Sequence, residues 1–525
     1  MMFRFRLTTC AAALLVISFA CSTPAFAAST TDGSSVAWLP AGTDADIGRA
    51  FAQARGESKP LLLYWGAAWC PPCNQLKATL FNRQDFIARS RAFVAVNVDG
   101  DLPGAQHLGA RFKVRGYPTL ILFNPEGAEL TRLPGEADAA QVMEILDLGL
   151  AGGRAIKSVL ADALAGKTLS ANEWRLLAFY SWDTDEQQLV PRGDLPGLLA
   201  QLASAAPGSD ADTGTRLWLK ALAASSEGAG LKADGAMRKR VLAVLADPQA
   251  ARRQMDVLVN GAANIVLTLS EGADKRALLD RYDATLQGLQ RDATLSRADR
   301  INALNARIVL ARLDLPKDAV QVRAQMPAAL LNSVREQVAR DDREINNGYE
   351  RQAVITEGAY ALAQAGLWKE SDALLKANLV RSHSPYYLMS QLAGNARKQG
   401  RKVEALKWYE QAFNKSEGPA TRLQWGAGYL SALVDLAPTD TVRIETTVAQ
   451  LLREAEHDKS AFYERSARSL QRVGTKLASW NAGGHHDAVL TRLKSQLDGI
   501  CAKVDSTDKQ RATCEGLITT AHAKG

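Results

Sequence analysis

Two cysteines separated by two prolines, in Trp69-Cys70-Pro71-Pro72-Cys73, are the residues of this chain best placed to do chemistry. A thiol pair at this spacing serves as a metal clip, as a structural crosslink or as a redox centre that opens and closes a disulfide. A zinc clip wants four ligands, or three and a water, and His107 is the one histidine in the surrounding segment. His485 and His486 lack a third convergent ligand and are not read as a site. A second pair, Cys501 and Cys514, lies in ICAKVDSTDKQRATCEGL with 12 residues between the two and no tryptophan or proline pair around it. It reads as a structural disulfide between helical ends, and closing a loop of that size stabilises a fold by about 3 kcal/mol.

The elements that must position Cys70 and Cys73 are legible on either side. DADIGRAFAQARGESKP (44–60) places Ile47, Phe51 and Ala54 on one helical face, with Gly56 and Pro60 at the exit. LLLYW (61–65) suits a buried strand, NQLKATLF a helix, and Asp85-Phe86-Ile87 begins another short helical stretch. AFVAVNVD (92–99) is β-branched and strand-like, AQHLGARF (105–112) a short helix and PTLILFN (118–124) a strand. Pro125-Glu126-Gly127 turns the chain into AELTRLPG, an expected edge strand, and Asp138 to Leu148 closes with a helix. The order predicts an α/β unit, a sheet with helices against its faces.

Residues 36–150 resemble a thioredoxin-fold domain of the secreted kind. The resemblance rests on Trp69-Cys70-Pro71-Pro72-Cys73, the strand Val94 to Asp99 and Gly116-Tyr117-Pro118-Thr119. It implies a redox-active pair, a cis Pro118 facing it, and substrate contacts from Trp69, Tyr117, Pro118 and Thr119. A cysteine at a helix N-terminus has its thiolate stabilised by unpaired N–H groups and the helix dipole. Cys70 is therefore expected to be the nucleophile and Cys73 the resolving thiol. Pro71 and Pro72 cost little in a first helical turn, whose N–H groups lack intrahelical partners anyway. One departure stands out: many thioredoxins carry a buried acid six residues before the first cysteine, and here that position is Tyr64.

The chain opens with Arg4 and Arg6, an apolar run from Leu7 to Ala20, and Ala25-Phe26-Ala27. This is the pattern of a secretory signal over residues 1–27. The expected location is the bacterial periplasm, as a soluble protein after cleavage, where disulfides persist. Cleavage there removes Cys10 and Cys21 and leaves the two pairs.

From about Gly152 the texture changes to Ala/Leu/Arg/Glu-rich stretches broken by Gly, Pro and Asp. A helical domain is expected over 152–345, with helices at 238–246, 255–270, 276–289 and 296–313. A tetratricopeptide-like region is expected over 346–525, carrying the Cys501–Cys514 crosslink. QAGLWKESDALLKANL (364–379) and KQGRKVEALKWYEQAF (398–413) put Gly366 and Gly400 one 34-residue period apart, and the second segment resembles a tetratricopeptide helix. Trp408, Tyr409 and Trp425 are read first as packing residues. Such helices either select protein partners on a concave surface, or self-associate, or hold the redox head at a fixed distance.

The 63 basic and 56 acidic residues leave a formal charge of +7, scattered without aromatic interleaving, so nucleic-acid binding has no support. No nucleophile elbow or zinc-protease helix favours a hydrolase. The expected function is a periplasmic thiol–disulfide oxidoreductase, reductase or isomerase-like. It would need no cofactor, act on client protein disulfides and be kept reduced by a membrane thiol donor. The alternative is a non-catalytic interaction or assembly factor built on the same fold.

Overall fold

The computed structural model describes residues 35–518 apart from 136, 186, 226–229, 233, 270–272 and 316–322. The expected signal, Cys10 and Cys21 lie outside the described residues.

The first unit runs β1 (Leu39–Pro40), α1 (Asp44–Glu57), β2 (Leu61–Gly66), α2 (Pro71–Thr79), α3 (Gln84–Arg89), β3 (Val94–Asp99), α4 (Ala105–Arg111), β4 (Thr119–Phe123), β5 (Glu129–Leu133) and α5 (Ala139–Leu150). The sheet order is β1-β3-β2-β4-β5, parallel among β1, β3 and β2 and antiparallel thereafter. Leu63 sits between Val96 and Ile121, which makes β2 the centre of the sheet. Every residue of β2 is buried, because both faces are covered and the side chains alternate between them. Leu61, Leu63 and Trp65 pack with Ile47 and Phe51 of α1 and Leu108 of α4. Leu62 and Tyr64 face the other way, onto Leu76 of α2, Phe86 of α3 and Ile145 of α5.

The remainder is built from helices joined by turns and loops, with one isolated bridge from Asp185 to Val114 among its described residues. It comprises α6 (Ile156–Leu164), α7 (Ala171–Phe179), α8 (Leu195–Ala205), α9 (Ala211–Ala224), α10 (Gly235–Ala246), α11 (Pro248–Arg253), α12 (Met255–Asn260), α13 (Ala262–Leu269), α14 (Ala273–Arg291) and α15 (Arg297–Ala311). It continues with α16 (Ala328–Glu344), α17 (Gly348–Gln364), α18 (Trp368–Asn378), α19 (Pro385–Lys398), α20 (Lys402–Lys415), α21 (Pro419–Leu436), α22 (Thr441–Glu456), α23 (Glu464–Trp480), α24 (Asp487–Cys501) and α25 (Gln510–Glu515). Gly366 and Gly400 adopt φ of 75° and 73°, the left-handed turn that ends α17 and α19 and starts the partner helix. Ser170 caps α7 and Ser296 caps α15 in reciprocal capping boxes with Glu173 and Asp299.

Two sequence expectations are corrected. The single helix expected over 255–270 is broken at Gly261 into α12 and α13. A Cβ there would lie 2.6 Å from the Ala223 Cβ and 2.8 Å from the Val257 carbonyl oxygen. Nor do the helices hold the first unit at a distance. Its core continues without a break into Leu177 of α7, Leu199 of α8 and Leu217 of α9. α2 also lies against α17, and α4 against α23.

Candidate functional site

The site begins where β2 ends. The chain leaves the sheet after Gly66, crosses Ala67-Ala68-Trp69 and enters α2 with Cys70 as its N-cap. The Cys73 N–H donates to Cys70 Sγ at 3.2 Å, the contact that holds a side chain at a helix N-cap. Cys70 and Cys73 are bonded to each other, with Cα atoms 5.2 Å apart. Cys70 is 2% exposed and Cys73 fully buried. The buried Asn74 amide stitches the loop, donating to the carbonyls of Ala68 and Cys70 at 2.8 Å each.

The opposing loop carries the cis peptide Tyr117–Pro118. Tyr117 stacks on Trp65, with ring centroids 5.9 Å apart, and meets Trp69 edge-on at 6.0 Å. Thr119 is fully buried, and its hydroxyl donates to the Gly116 carbonyl at 3.0 Å, so it shapes the loop. Tyr64 belongs to the same buried cluster as Cys70 and Cys73, with its hydroxyl buried and without a hydrogen-bond partner. Burial first, then the Asp99 carboxylate, pushes that hydroxyl well above its ordinary value. A phenol in that position is no base at neutral pH.

The helical region closes over this face. Trp69 Nε1 donates both to Thr421 Oγ1 of α21 at 2.8 Å and to Asp101 Oδ2 at 3.0 Å. The Trp69 ring stacks on Tyr387 of α19 at 5.9 Å and meets Trp425 of α21 edge-on at 5.1 Å. Gln352 of α17 donates to the Trp69 carbonyl at 3.3 Å, and His383 Nε2 to the Ala68 carbonyl at 3.0 Å. Arg465 of α23 is the centrepiece. Its guanidinium pairs with Asp101 and lies 5.3 Å from the Trp69 ring and 5.1 Å from that of Tyr117. Its backbone N–H donates to Gln106 Oε1 at 2.9 Å. Trp425, expected as packing, is buried and touches the redox loop itself.

Two cavities adjoin the cis-proline loop and the redox helix. One, of about 300 Å³, is walled by Tyr117 and Pro118 on one side and by α8, α9 and α12 on the other. The second, of about 330 Å³, is walled by Pro71, Pro72 and Gln75 and by α12, α13, α15 and α17.

Elsewhere, Cys501 closes α24 onto Cys514 of α25, with Cα atoms 5.7 Å apart and both residues buried in the C-terminal core. His107 pairs with Asp44 at 3.1 Å, and His486 stacks on Trp480 with ring centroids 3.6 Å apart. Among the described residues no group of three His, Cys, Asp or Glu side chains is placed to hold a metal, and no helix is long and apolar enough to cross a membrane. Asp101, Arg465, Thr421, Gln352 and Asn74 escaped the sequence reading. Asn74 carried a weak signal, a polar residue directly after Cys73. Arg465 carried none, since its partner is 364 residues away.

The sheet order, the cysteine at the N-cap after the central strand and the cis proline opposite define a thioredoxin-like domain followed by a large helical region. Residues 47–149 match the thioredoxin-like domain family. The same part of the chain is similar to two thiol:disulfide interchange proteins of Pseudomonas aeruginosa. DsbD 2 is 32% identical over 116 residues, 21% of this chain and 20% of that protein. DsbD 1 is 33% identical over 113 residues, 21% of this chain and 19% of that protein. DsbD of Yersinia pestis is 35% identical over 100 residues, 18% of this chain and 16% of that protein. The chain thus spans about a fifth or less of the length of these relatives.

Proposed function

We propose that this chain is a periplasmic protein thiol–disulfide oxidoreductase, reductase or isomerase-like, with Cys70 attacking and Cys73 resolving. The observation that carries the reading is the Cys73 N–H aimed at Cys70 Sγ at the N-terminus of α2, the arrangement that stabilises a thiolate. Similarity to proteins named for thiol–disulfide interchange supports the same chemistry. In the reduced enzyme the Cys70 thiolate attacks one sulfur of a client disulfide. A Cys70–client bond forms, and the other client sulfur leaves as a thiolate and takes a proton. Cys73, deprotonated, then attacks Cys70 Sγ; the client's second sulfur leaves as a thiolate and is protonated. The client has gained two electrons and the enzyme holds the Cys70–Cys73 disulfide, which a membrane dithiol donor reduces. The buried, unpartnered Tyr64 hydroxyl takes no part as a base.

In this reading residues 1–27 are a signal, 36–150 the redox unit, and 152–345 and 346–525 helical regions, the latter tetratricopeptide-like and crosslinked by Cys501–Cys514. Trp69, Tyr117 and Pro118 meet the client chain. The helices take up a protein partner or a second copy.

Trapping tests the chemistry. Cys73→Ala in the full chain accumulates mixed disulfides through Cys70, and Cys70→Ala/Cys73→Ala accumulates none. Equal trapping by the two variants overturns the assignment of nucleophile and resolver. A second reading, a non-catalytic assembly factor, is favoured by one observation: helices cover Trp69 and leave Cys70 2% exposed. Insulin reduction separates the two. Turnover lost in Cys70→Ala supports the enzyme, and no turnover by either form, with unchanged client binding, supports the factor.

A further inference from the structure

The two cavities abut different parts of the redox site. The first abuts Pro118, whose neighbour Tyr117 packs against Trp69, and the second abuts Pro71, bonded directly to Cys70. Asn260, exposed at the C-terminal end of α12, lines both. The two cavities thus share Asn260, one reaching the cis-proline loop and the other the first turn of the redox helix. The opposite wall is made by the helical region in both cases.

The chemistry of the second cavity is one-sided. Its charged lining residues are Asp299 of α15 and Glu357 of α17, and no Lys, Arg or His side chain is among those that line it. Asp299 is occupied, accepting from Gln75 Nε2 at 2.7 Å and from Ser296 Oγ at 2.7 Å. Glu357 accepts from Asn305 Nδ2 at 3.1 Å, and Asn305 Oδ1 is buried with no partner. An acid and an amide oxygen thus present acceptor capacity to a cavity beside the redox helix. Burial, uncompensated by a cation, raises the Glu357 carboxyl to about 7. A basic group entering the cavity would supply the missing partner.

We infer that the helical region is the second wall of the client site, which takes an extended disulfide-bearing polypeptide segment through both cavities and seats a Lys or Arg side chain of that segment against Glu357. This rests on the oxidoreductase reading above and specifies its substrate class. An extended segment rises about 3.3 Å per residue and sends successive side chains to opposite sides, so a few residues around a cysteine reach both cavities. A small disulfide such as glutathione disulfide needs only one cavity and meets no use for the other.

The test uses the reduced full chain in single-turnover oxidation, followed by tryptophan fluorescence. The oxidants are two disulfide-containing peptides, identical except for Lys or Glu flanking the cysteine, and glutathione disulfide. The Lys peptide is expected to react at least tenfold faster than the Glu peptide and than glutathione disulfide. Glu357→Gln should bring the Lys/Glu ratio to within twofold of unity. Asn260→Phe, enlarging the residue common to both cavities, should lower the peptide-to-glutathione-disulfide ratio at least tenfold. Because each readout is a ratio within one protein, partial loss of folded material does not alter it. Glutathione disulfide as fast as the peptides, or a Lys/Glu ratio untouched by Glu357→Gln, overturns the inference while leaving the oxidoreductase reading standing. Failure of every disulfide to oxidise Cys70 overturns the oxidoreductase reading itself.

Discussion

Replacing Arg465 by Met removes the cation from the centre of the clamp while keeping much of its aliphatic bulk. The side chains of Arg465 and Asp101 are 10% and 12% exposed. Breaking a buried ion pair from one side costs about 3–5 kcal/mol, because the other charge is left uncompensated. Asp101 keeps two neutral donors, Trp69 Nε1 and Thr421 Oγ1, so the lower figure, about 3 kcal/mol, applies. The loss falls on the docking of α23 against the redox loop, where a local opening is read by native-state hydrogen exchange. At about 1.4 kcal/mol per decade, amides of residues 99–106 should exchange on the order of 100-fold faster. Amides of α24, held in the C-terminal core, should not change. Neutralising the stranded partner as well, in Asp101→Asn/Arg465→Met, should recover at least about 1.5 kcal/mol, the signature of coupled residues. Exchange of 99–106 unchanged within twofold in Arg465→Met, with the fold intact, would refute the claim that this pair holds the helical region on the site.

Three further outcomes are expected. The Glu357 carboxyl goes from 4.5 to about 7 through burial; Tyr360 and Tyr387 feel its charge, and Asp299 lines the same cavity. A raised acid binds more protons folded than unfolded, so its cost is absent below pH 4.5, grows as pH rises and is complete above 7. Glu357→Gln should therefore match wild type near pH 4.5 and exceed it by at most about 3 kcal/mol at pH 8, seen as a pH-dependent difference in melting temperature. Removing the Cys501–Cys514 crosslink, with 13 residues of sequence separation, should cost about 3 kcal/mol in urea unfolding of the C-terminal core. Asn74→Ala removes one of two donors from each of the Ala68 and Cys70 carbonyls, which keep His383 Nε2 and the residue-74 N–H, and should cost about 1 kcal/mol, measured as a lower melting temperature together with slower mixed-disulfide formation at Cys70.

The first unit was readable because each of its signals is local. LLLYW and AFVAVNVD announce themselves by composition, and Asp138 and Ser170 cap the helices they precede. β1 was missed, since two residues carry no periodicity and form a strand only beside Val96 and Asn97. Gly261 is invisible as a boundary because an isolated glycine is tolerated inside a helical pattern, and what requires glycine there, Ala223, lies on another helix. The redox pair was legible in its spacing, but its surroundings were not. The clamp joins Asp101 to Arg465, Trp69 to Thr421 and Gln75 to Asp299 across 364, 352 and 224 residues. No pattern within a window of a dozen residues records such pairings.

The separation of Asp101 from Arg465 has a consequence for how the molecule comes into being. Domains fold as units from the N-terminus while synthesis proceeds at about 5–20 residues per second. The 364 residues between the two partners therefore correspond to roughly 20–70 s of translation. Over that interval the walls are added in chain order, α8 to α17 first, then Tyr387, Thr421 and Trp425 against Trp69, and Arg465 last. The Asp101 carboxylate meets its cation only when α23 closes on a loop made 364 residues earlier.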